Sequence, residues 1–347
     1  MKSAVLTALR TLEIQDRPRP APGPGEVLLK IAAVGLCGSD VHYWENGRIG
    51  NQAVAFPAVL GHEPSGIVEA AGPGARLAPG ARVMVEPAIS CGYCVFCLAG
   101  RPNICPAVKF LGTPPHDGVF SQYHVMPGHC CVPIPDSMSL VEAALMEPLA
   151  VGLHGVKLAR MVPGDRAAIF GCGPIGLATA LGARLAGASE LFMTDPIPER
   201  RAMAEKLAGA AVFDPASGDP VAWIKRRTEA LGVELSFECA GTQETLDQSC
   251  LAARCGGRVL LTGIPAADKM LLPMHECRRR ELELLHVRRS NGEAAAALRL
   301  LASGRLDVKP LATHFFPLER TAEAFDLASR KADGVIRAMI FPNGPME

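Results

Sequence analysis

Within the stretch AAIFGCGPIGLATALGARLAG, three glycines stand at G-x-G-x-x-G spacing: Gly171, Gly173 and Gly176. A strand-like apolar run precedes them and an Ala- and Leu-rich helix-like run follows. The first glycine allows a tight turn, the second lets a backbone approach a pyrophosphate, and the third lets helix lie close on strand. The helix start supplies amide donors and a partial positive charge for a phosphate. Asp195 ends the next apolar run, ELFMTD, about 20 residues on, where a ribose carboxylate belongs. Strand-like and helix-like runs go on alternating from about residue 150 to about 288, as in RAAIF, IGLATALGARLAG, ELFMTD and PERRAMAEKLAG. That alternation predicts parallel βαβ units in a doubly wound α/β sheet. A carboxylate at position 195 accepts from both ribose hydroxyls and repels a 2′-phosphate, which favours NAD over NADP. Arg200 and Arg201 follow it, and either pair with such a phosphate, flank the adenine or face solvent.

The rest of the chain reads differently. Before residue 150, Pro and Gly crowd into RPRPAPGPGE, AAGPGARLAPG and GTPPHDG, with short apolar runs such as VLLKIAAVGL between them. This predicts an irregular, mostly β region. At 347 residues the chain exceeds what one core usually holds, so two domains are expected. No apolar run is long enough to span a bilayer. With 35 basic and 35 acidic residues the formal charge is zero, which argues against nucleic acid or anionic membrane as the main partner. The N-terminal stretch lacks a signal-peptide pattern. The 12 cysteines are then expected to be metal ligands and buried thiols in the cytoplasm, in preference to disulfides.

Two cysteine-containing stretches carry metal chemistry. GLCGSDVHYW holds Cys37, Ser39 and His42, and VLGHEPSG holds His62 and Glu63. A thiolate, an imidazole and a carboxylate can hold zinc and leave one coordination position open. Such a position lowers the pKa of a bound hydroxyl, and Ser39 and His42 follow the thiolate closely enough to carry its proton away. In SCGYCVFCLAGRPNICP, Cys91, Cys94, Cys97 and Cys105 are spaced as a closed four-thiolate zinc site. The rivals are a disulfide pair or a redox C-x-x-C. A nucleic-acid zinc module is disfavoured, since only one Arg and one Lys lie nearby. Phe110 and Phe120 line a pocket or belong to a core. Glu147 alone would read as a helix-start acid.

Taken together, GLCGSDVHYWENGRIG, VLGHEPSGIVE, GTPPHDG, ALMEPLAVGLH, GCGPIG, FECAG and DVKPLATHFFPLE resemble the zinc-dependent medium-chain dehydrogenases/reductases, and among them the sorbitol/xylitol (polyol) branch. The resemblance implies the medium-chain alcohol dehydrogenase architecture. A GroES-like, mostly β catalytic domain would span residues 1–149, with a structural-zinc lobe at 88–106. A Rossmann domain would span 150–287, and residues 288–347 would return to the first domain, with zinc and nicotinamide in the cleft between. Cys37, His62 and Glu63 match zinc ligands. Glu147 matches a carboxylate that binds the metal directly or through water, and which glutamate is bound at rest stays open. Ser39 and His42 match a proton relay, and Asp40 a residue that orients the ligand histidine. Tyr43 and Arg288 match the substrate side, and of the two phenylalanines Phe110 is the one expected there. Pro174, Ile175, Asp195, Arg200 and the Thr262–Gly263–Ile264 turn match cofactor contacts, with Val287 and Arg288 towards the nicotinamide.

The implied cofactors are NAD and two zinc ions per subunit, one catalytic and one structural. The implied reaction is oxidation of a polyol secondary alcohol to a ketose, by a homotetramer or homodimer. Alternatives in the same family are dehydrogenases of a sugar acid such as idonate, of threonine or of another secondary alcohol. A non-catalytic protein on this fold is a further alternative, against which the intact relay residues speak. One departure bears on substrate: Val287-Arg288-Arg289 stands where the branch has Phe-Arg-Tyr. The extra cation of Arg289 suits a substrate carboxylate, or else it turns to solvent or to a subunit interface.

Overall fold

The strand Glu26–Gly35, EVLLKIAAVG, is apolar at nearly every position and buried along its length. A strand reads this way when both faces are covered. In the computed structural model, which describes residues 1–346, it lies inside a seven-stranded sheet. The sheet order is Cys131–Pro133, Arg82–Val85, Glu63–Ala71, Glu26–Gly35, Arg337–Phe341 and Ala312–Pro317, with Tyr123–Pro127 also paired to Glu26–Gly35. At the end of the central strand, Gly35 pairs with Glu63 on one side and with Met339 on the other. A Cβ at Gly35 would overlap Glu63 Oε2, so only glycine lets that carboxylate fold in over the strand. Segments from both ends of the chain thus meet at one point.

The second sheet has six strands, all parallel, in the order Ala211–Phe213, Glu190–Thr194, Arg166–Phe170, Val233–Glu238, Ala253–Leu261 and Glu283–His286. The chain begins at Arg166–Phe170, builds outward to one edge, then crosses back and builds to the other. The crevice outside the strand ends at such a reversal is where this architecture binds ligands. The expected α/β class, a mostly β domain with a doubly wound parallel sheet, therefore holds. No helix among the described residues is long and apolar enough to cross a membrane.

Two compact units result: residues 1–147 with 294–347, and residues 148–293. The return was expected at 288, but residues 288–293 stay with the second unit, and Glu293 explains why. It is 5% exposed, its Oε1 accepts from Lys157 Nζ at 2.9 Å, and its Oε2 lies 3.4 Å from His154 Nδ1. The Asn291 N–H also donates to it. His154 and Lys157 belong to the helix Met146–Leu158, and the first boundary falls within that helix, two residues before 149/150. Burial would push the Glu293 carboxyl up, but its neighbours His154 and Lys157 and the Asn291 N–H hold it down at about 2.

Candidate active site

The first cluster forms where the central strand hands over to the helix Gly38–Asn46. Cys37 caps that helix in extended conformation. Asp40, in the first helical turn and fully buried, accepts the Cys37 N–H through Oδ2 and the Gly61 N–H through Oδ1, both at 3.0 Å. The same Oδ1 lies 3.4 Å from His62 Nδ1. One carboxylate therefore orients two prospective ligands, in the way outer residues commonly steady metal sites. Ligand atoms of Cys37, His62 and Glu63 all lie within 4.8 Å of one another. Both oxygens of buried Glu63 lack a well-aligned hydrogen-bond donor, as a carboxylate set aside for a metal would. Burial lowers the affinity of His62 for a proton, yet the negative charges of Asp40 and Cys37 outweigh this and hold its pKa well above the usual value. The donor set thus asks for positive charge, and zinc fits it.

Helical spacing sorts the neighbours. Asp40, Tyr43 and Trp44 lie three and four apart and form the buried face of the helix. Ser39 and His42, three apart, lie half-buried beside it. Tyr43, expected on the substrate side, is 3% exposed and belongs to the core with Leu36, Trp44 and Leu60. Phe120 is also core, against Phe325. Phe110 is different: its ring centre lies 5.2 Å from that of His62. Glu147 stands outside the 4.8 Å cluster but feels its field. Its carboxyl is pushed up to about 8, first by burial and then by the charge of Glu63, against the pull of His62 and Arg337.

In the cysteine lobe, the sulfur separations are 3.5 Å for Cys94–Cys97 and Cys91–Cys105, and 3.9 Å for Cys91–Cys97 and Cys94–Cys105. A zinc tetrahedron with Zn–S of about 2.3 Å has edges of about 3.8 Å, whereas a disulfide requires about 2 Å. All four thiols are free, and their arrangement fits a closed metal site. Backbone N–H groups, that of Tyr93 first, pull Cys91 down to about 6, while burial and the neighbouring sulfurs push Cys97 up to about 11. Four thiols this close cannot all ionise unless a cation neutralises them.

In the second unit, Gly171 turns at φ +105°, and a Cβ at Gly176 would overlap the Gly171 carbonyl. Pro174 and Ile175 open the helix Pro174–Leu185. Asp195 is 5% exposed. Its Oδ2 accepts the Cys172 N–H at 2.8 Å and its Oδ1 accepts the Ile197 N–H at 2.9 Å. Asp195 therefore braces the glycine turn, and each oxygen keeps a lone pair for a ribose hydroxyl. Arg201 is committed elsewhere, to the Asp195 carbonyl at 2.6 Å and to Asp214 at 3.0 Å. Arg200 stays near the turn: its Nη1 would lie 3.7 Å from a Cβ on Gly173. The Thr262–Gly263–Ile264 turn leaves the adjacent strand end, with Ile264 40% exposed. Val287 continues the last strand through its N–H to the Leu261 carbonyl. Arg288 is exposed, and half-buried Arg289 takes the left-handed backbone at φ +56°.

The alcohol dehydrogenase GroES-like domain model matches residues 23–136, and the zinc-binding dehydrogenase model matches residues 174–303. The chain is 38% identical over 344 residues to sorbitol dehydrogenase of Bacillus subtilis (strain 168), covering 99% of this chain and 98% of that one. The chain belongs to the zinc-dependent medium-chain dehydrogenases. It is also 37% identical over 341 residues to L-idonate 5-dehydrogenase of Vitis vinifera, covering 96% and 93% of the two chains. A crystal structure of an Escherichia coli oxidoreductase/dehydrogenase of unknown specificity matches with a TM-score of 0.91 and 33% identity, over 98% of each chain.

One residue beside the prospective metal ligands is not singled out by the sequence. Arg337 is 2% exposed, donates from Nη1 to the Leu36 carbonyl at 2.7 Å, and brings Nη2 within 3.2 Å of Glu63 Oε1. Burial works against its charge, but Glu63 and Cys37 outweigh that and raise its pKa. The available signal was a single arginine inside the apolar run GVIRAMIF, since an arginine in a buried strand needs a partner.

Proposed function

We propose that this dehydrogenase oxidises a secondary hydroxyl of a polyol, of the xylitol or sorbitol kind, to the ketone, with NAD as hydride acceptor. The observation that carries the reading is the joint placing of Cys37, His62 and Glu63 beside the helix of Ser39 and His42, in a chain 38% identical to a sorbitol dehydrogenase. Cys37, His62 and Glu63 would hold zinc, which would supply Lewis-acid chemistry at the substrate hydroxyl, and the glycine turn would hold NAD, which would supply a hydride acceptor. The chain's own side chains do the rest. Ser39 Oγ takes the hydroxyl proton and His42 passes it on. Asp40 keeps His62 and Cys37 in register, and Arg337 balances the charge of Glu63. Glu147 offers a second carboxylate for the metal or its water. Phe110 forms an apolar wall beside His62, with Tyr43 supporting from the core, and Arg288 carries donors for substrate oxygens. Cys91, Cys94, Cys97 and Cys105 hold the structural zinc.

The reading extends to a cytoplasmic homotetramer or homodimer. The four-thiol lobe supports a reducing compartment, and exposed Leu271 and Met274 support a subunit contact. A second reading is favoured by Arg289 and by the idonate-dehydrogenase relative: a sugar acid whose carboxylate meets that guanidinium. Reduction of NAD⁺ with xylitol, sorbitol, idonate, threonine and simple secondary alcohols decides between them. A maximum on neutral polyols supports the first reading. A maximum on idonate, abolished by Arg289→Tyr, moves the function to the second. No turnover of any secondary alcohol overturns both.

A further inference from the structure

We infer that Glu238 is a positioning residue for the dinucleotide, whose carboxylate locks the turns that meet at the crevice of the parallel sheet. Glu238 ends the strand Val233–Glu238 and pairs with Phe170, the residue before the glycine turn. This is the place where the strand order reverses. The residue is 3% exposed, and no role described above uses its side chain. Its Oε1 accepts three hydrogen bonds, from Ala240 N at 2.8 Å, Gly241 N at 2.7 Å and Thr245 Oγ1 at 2.8 Å. Its main-chain carbonyl accepts from Thr262 N at 2.9 Å and Gly263 N at 3.0 Å. Its Oε2 faces the same turn: a Cβ on Gly263 would lie 2.5 Å from it and would overlap Gly241 N. On the far side, a Cβ on Gly171 would lie 3.3 Å from both Ala240 Cβ and Ala240 N.

One side chain therefore ties the turn after its own strand to the first turn of the helix Gln243–Ala252 and presses against the turn after the neighbouring strand. The first of these turns backs directly onto the glycine turn. Loops at strand ends are ordinarily the mobile part of a fold. Charge-assisted hydrogen bonds in a buried setting hold them still. A site held still in advance loses less freedom when its ligand arrives, so Glu238 strengthens binding of NAD without touching it. The inference rests on the dinucleotide reading of the glycine turn.

The test is titration of the purified zinc-loaded protein with NADH by fluorescence, for wild type, Glu238→Ala, Glu238→Gln and Gly263→Ala. Melting temperatures and separate KM values for NAD⁺ and polyol accompany it. Glu238→Ala is expected to raise the NADH Kd about tenfold or more, with KM for NAD⁺ in step, and to change KM for polyol less than about threefold. Glu238→Gln keeps an acceptor oxygen for the same donors and restores the Kd to within about threefold of wild type. Gly263→Ala pushes the turn off Oε2 and reproduces the loss with Glu238 in place. If Glu238→Ala does not fold, Thr245→Val removes one of the three donors and is expected to weaken NADH severalfold. A folded Glu238→Ala whose melting temperature falls while its NADH Kd stays within about twofold of wild type overturns the inference. So does unchanged binding in both Gly263→Ala and Thr245→Val. If wild type binds neither NADH nor NADPH, the dinucleotide reading itself fails, and the two failures are told apart.

Discussion

Asp40 and Arg337 show how much the chemistry of two charged side chains depends on what surrounds them. Each is buried in an apolar setting and touches the segments that carry Cys37, His62 and Glu63. Cys37→Ser is expected to lower bound zinc from two ions to one per chain and to reduce kcat/KM by about three orders of magnitude or more. Metal analysis beside kinetics checks it, and full activity at normal zinc content would remove Cys37 from the ligand set. Arg337→Met is the harsher change. In the zinc-free protein it leaves the Glu63 carboxylate buried without a cation, which costs about 3–5 kcal/mol. Urea denaturation of the zinc-free protein should show a lowered midpoint, and the double variant Arg337→Met with Glu63→Gln should recover part of it. An unchanged midpoint in the single variant would show the pair to be idle. The role of Asp40 was expected from its place beside Cys37, but that of Arg337 is not legible in local sequence: nothing around Arg337 points to Glu63, because their segments become neighbours only when the sheet forms.

Among elements, the cysteine lobe and the helix Met146–Leu158 teach opposite lessons. The lobe is legible residue by residue, since its four thiols are close in sequence and four thiolates around one cation would admit few geometries. Cys94→Ala is expected to release one zinc per chain and to lower the melting temperature by about 5 °C, equivalent to about 2 kcal/mol. Activity of what remains folded should survive. A stable variant that keeps both ions would mean the lobe is not a metal site. The end of the second unit was not legible. The break at 288 followed from the end of the strand–helix alternation, but the ion-paired Glu293 holds the next residues back. Its carboxyl sits at about 2, below the ordinary value of about 4.3. A lowered value means the charged form is favoured by folding. The stabilisation is therefore present above about pH 4.3 and lost as pH falls towards 2, with about 3 kcal/mol as its ceiling. Glu293→Gln should cost stability at pH 7, and the gap from wild type should narrow steadily below pH 4. A gap that does not change with pH would sink the ion-pair account.

For the whole molecule, the clearest expectation concerns the second unit. NADH at about 100 times its Kd should add about 2.7 kcal/mol of stability. Hydrogen exchange should slow in the glycine turn at 171–176, in 239–242 and in 262–264, all at the same ends of the parallel strands. Protection spread evenly over the unit would contradict the crevice assignment. The α/β class, the glycine turn and the cysteine cluster of the lobe could be read from sequence, because turn geometry, βαβ alternation and close cysteine spacing are short-range constraints that a few adjacent residues satisfy or fail. Tertiary structure alone showed contacts that local sequence does not carry. It seated Tyr43 in the core, gave Asp195 a bracing duty on the glycine turn, brought Arg337 to Glu63 and turned Glu238 into a hub. Burial and partnership set the cost and strength of a charge, and both arise from segments that meet only in the folded sheet.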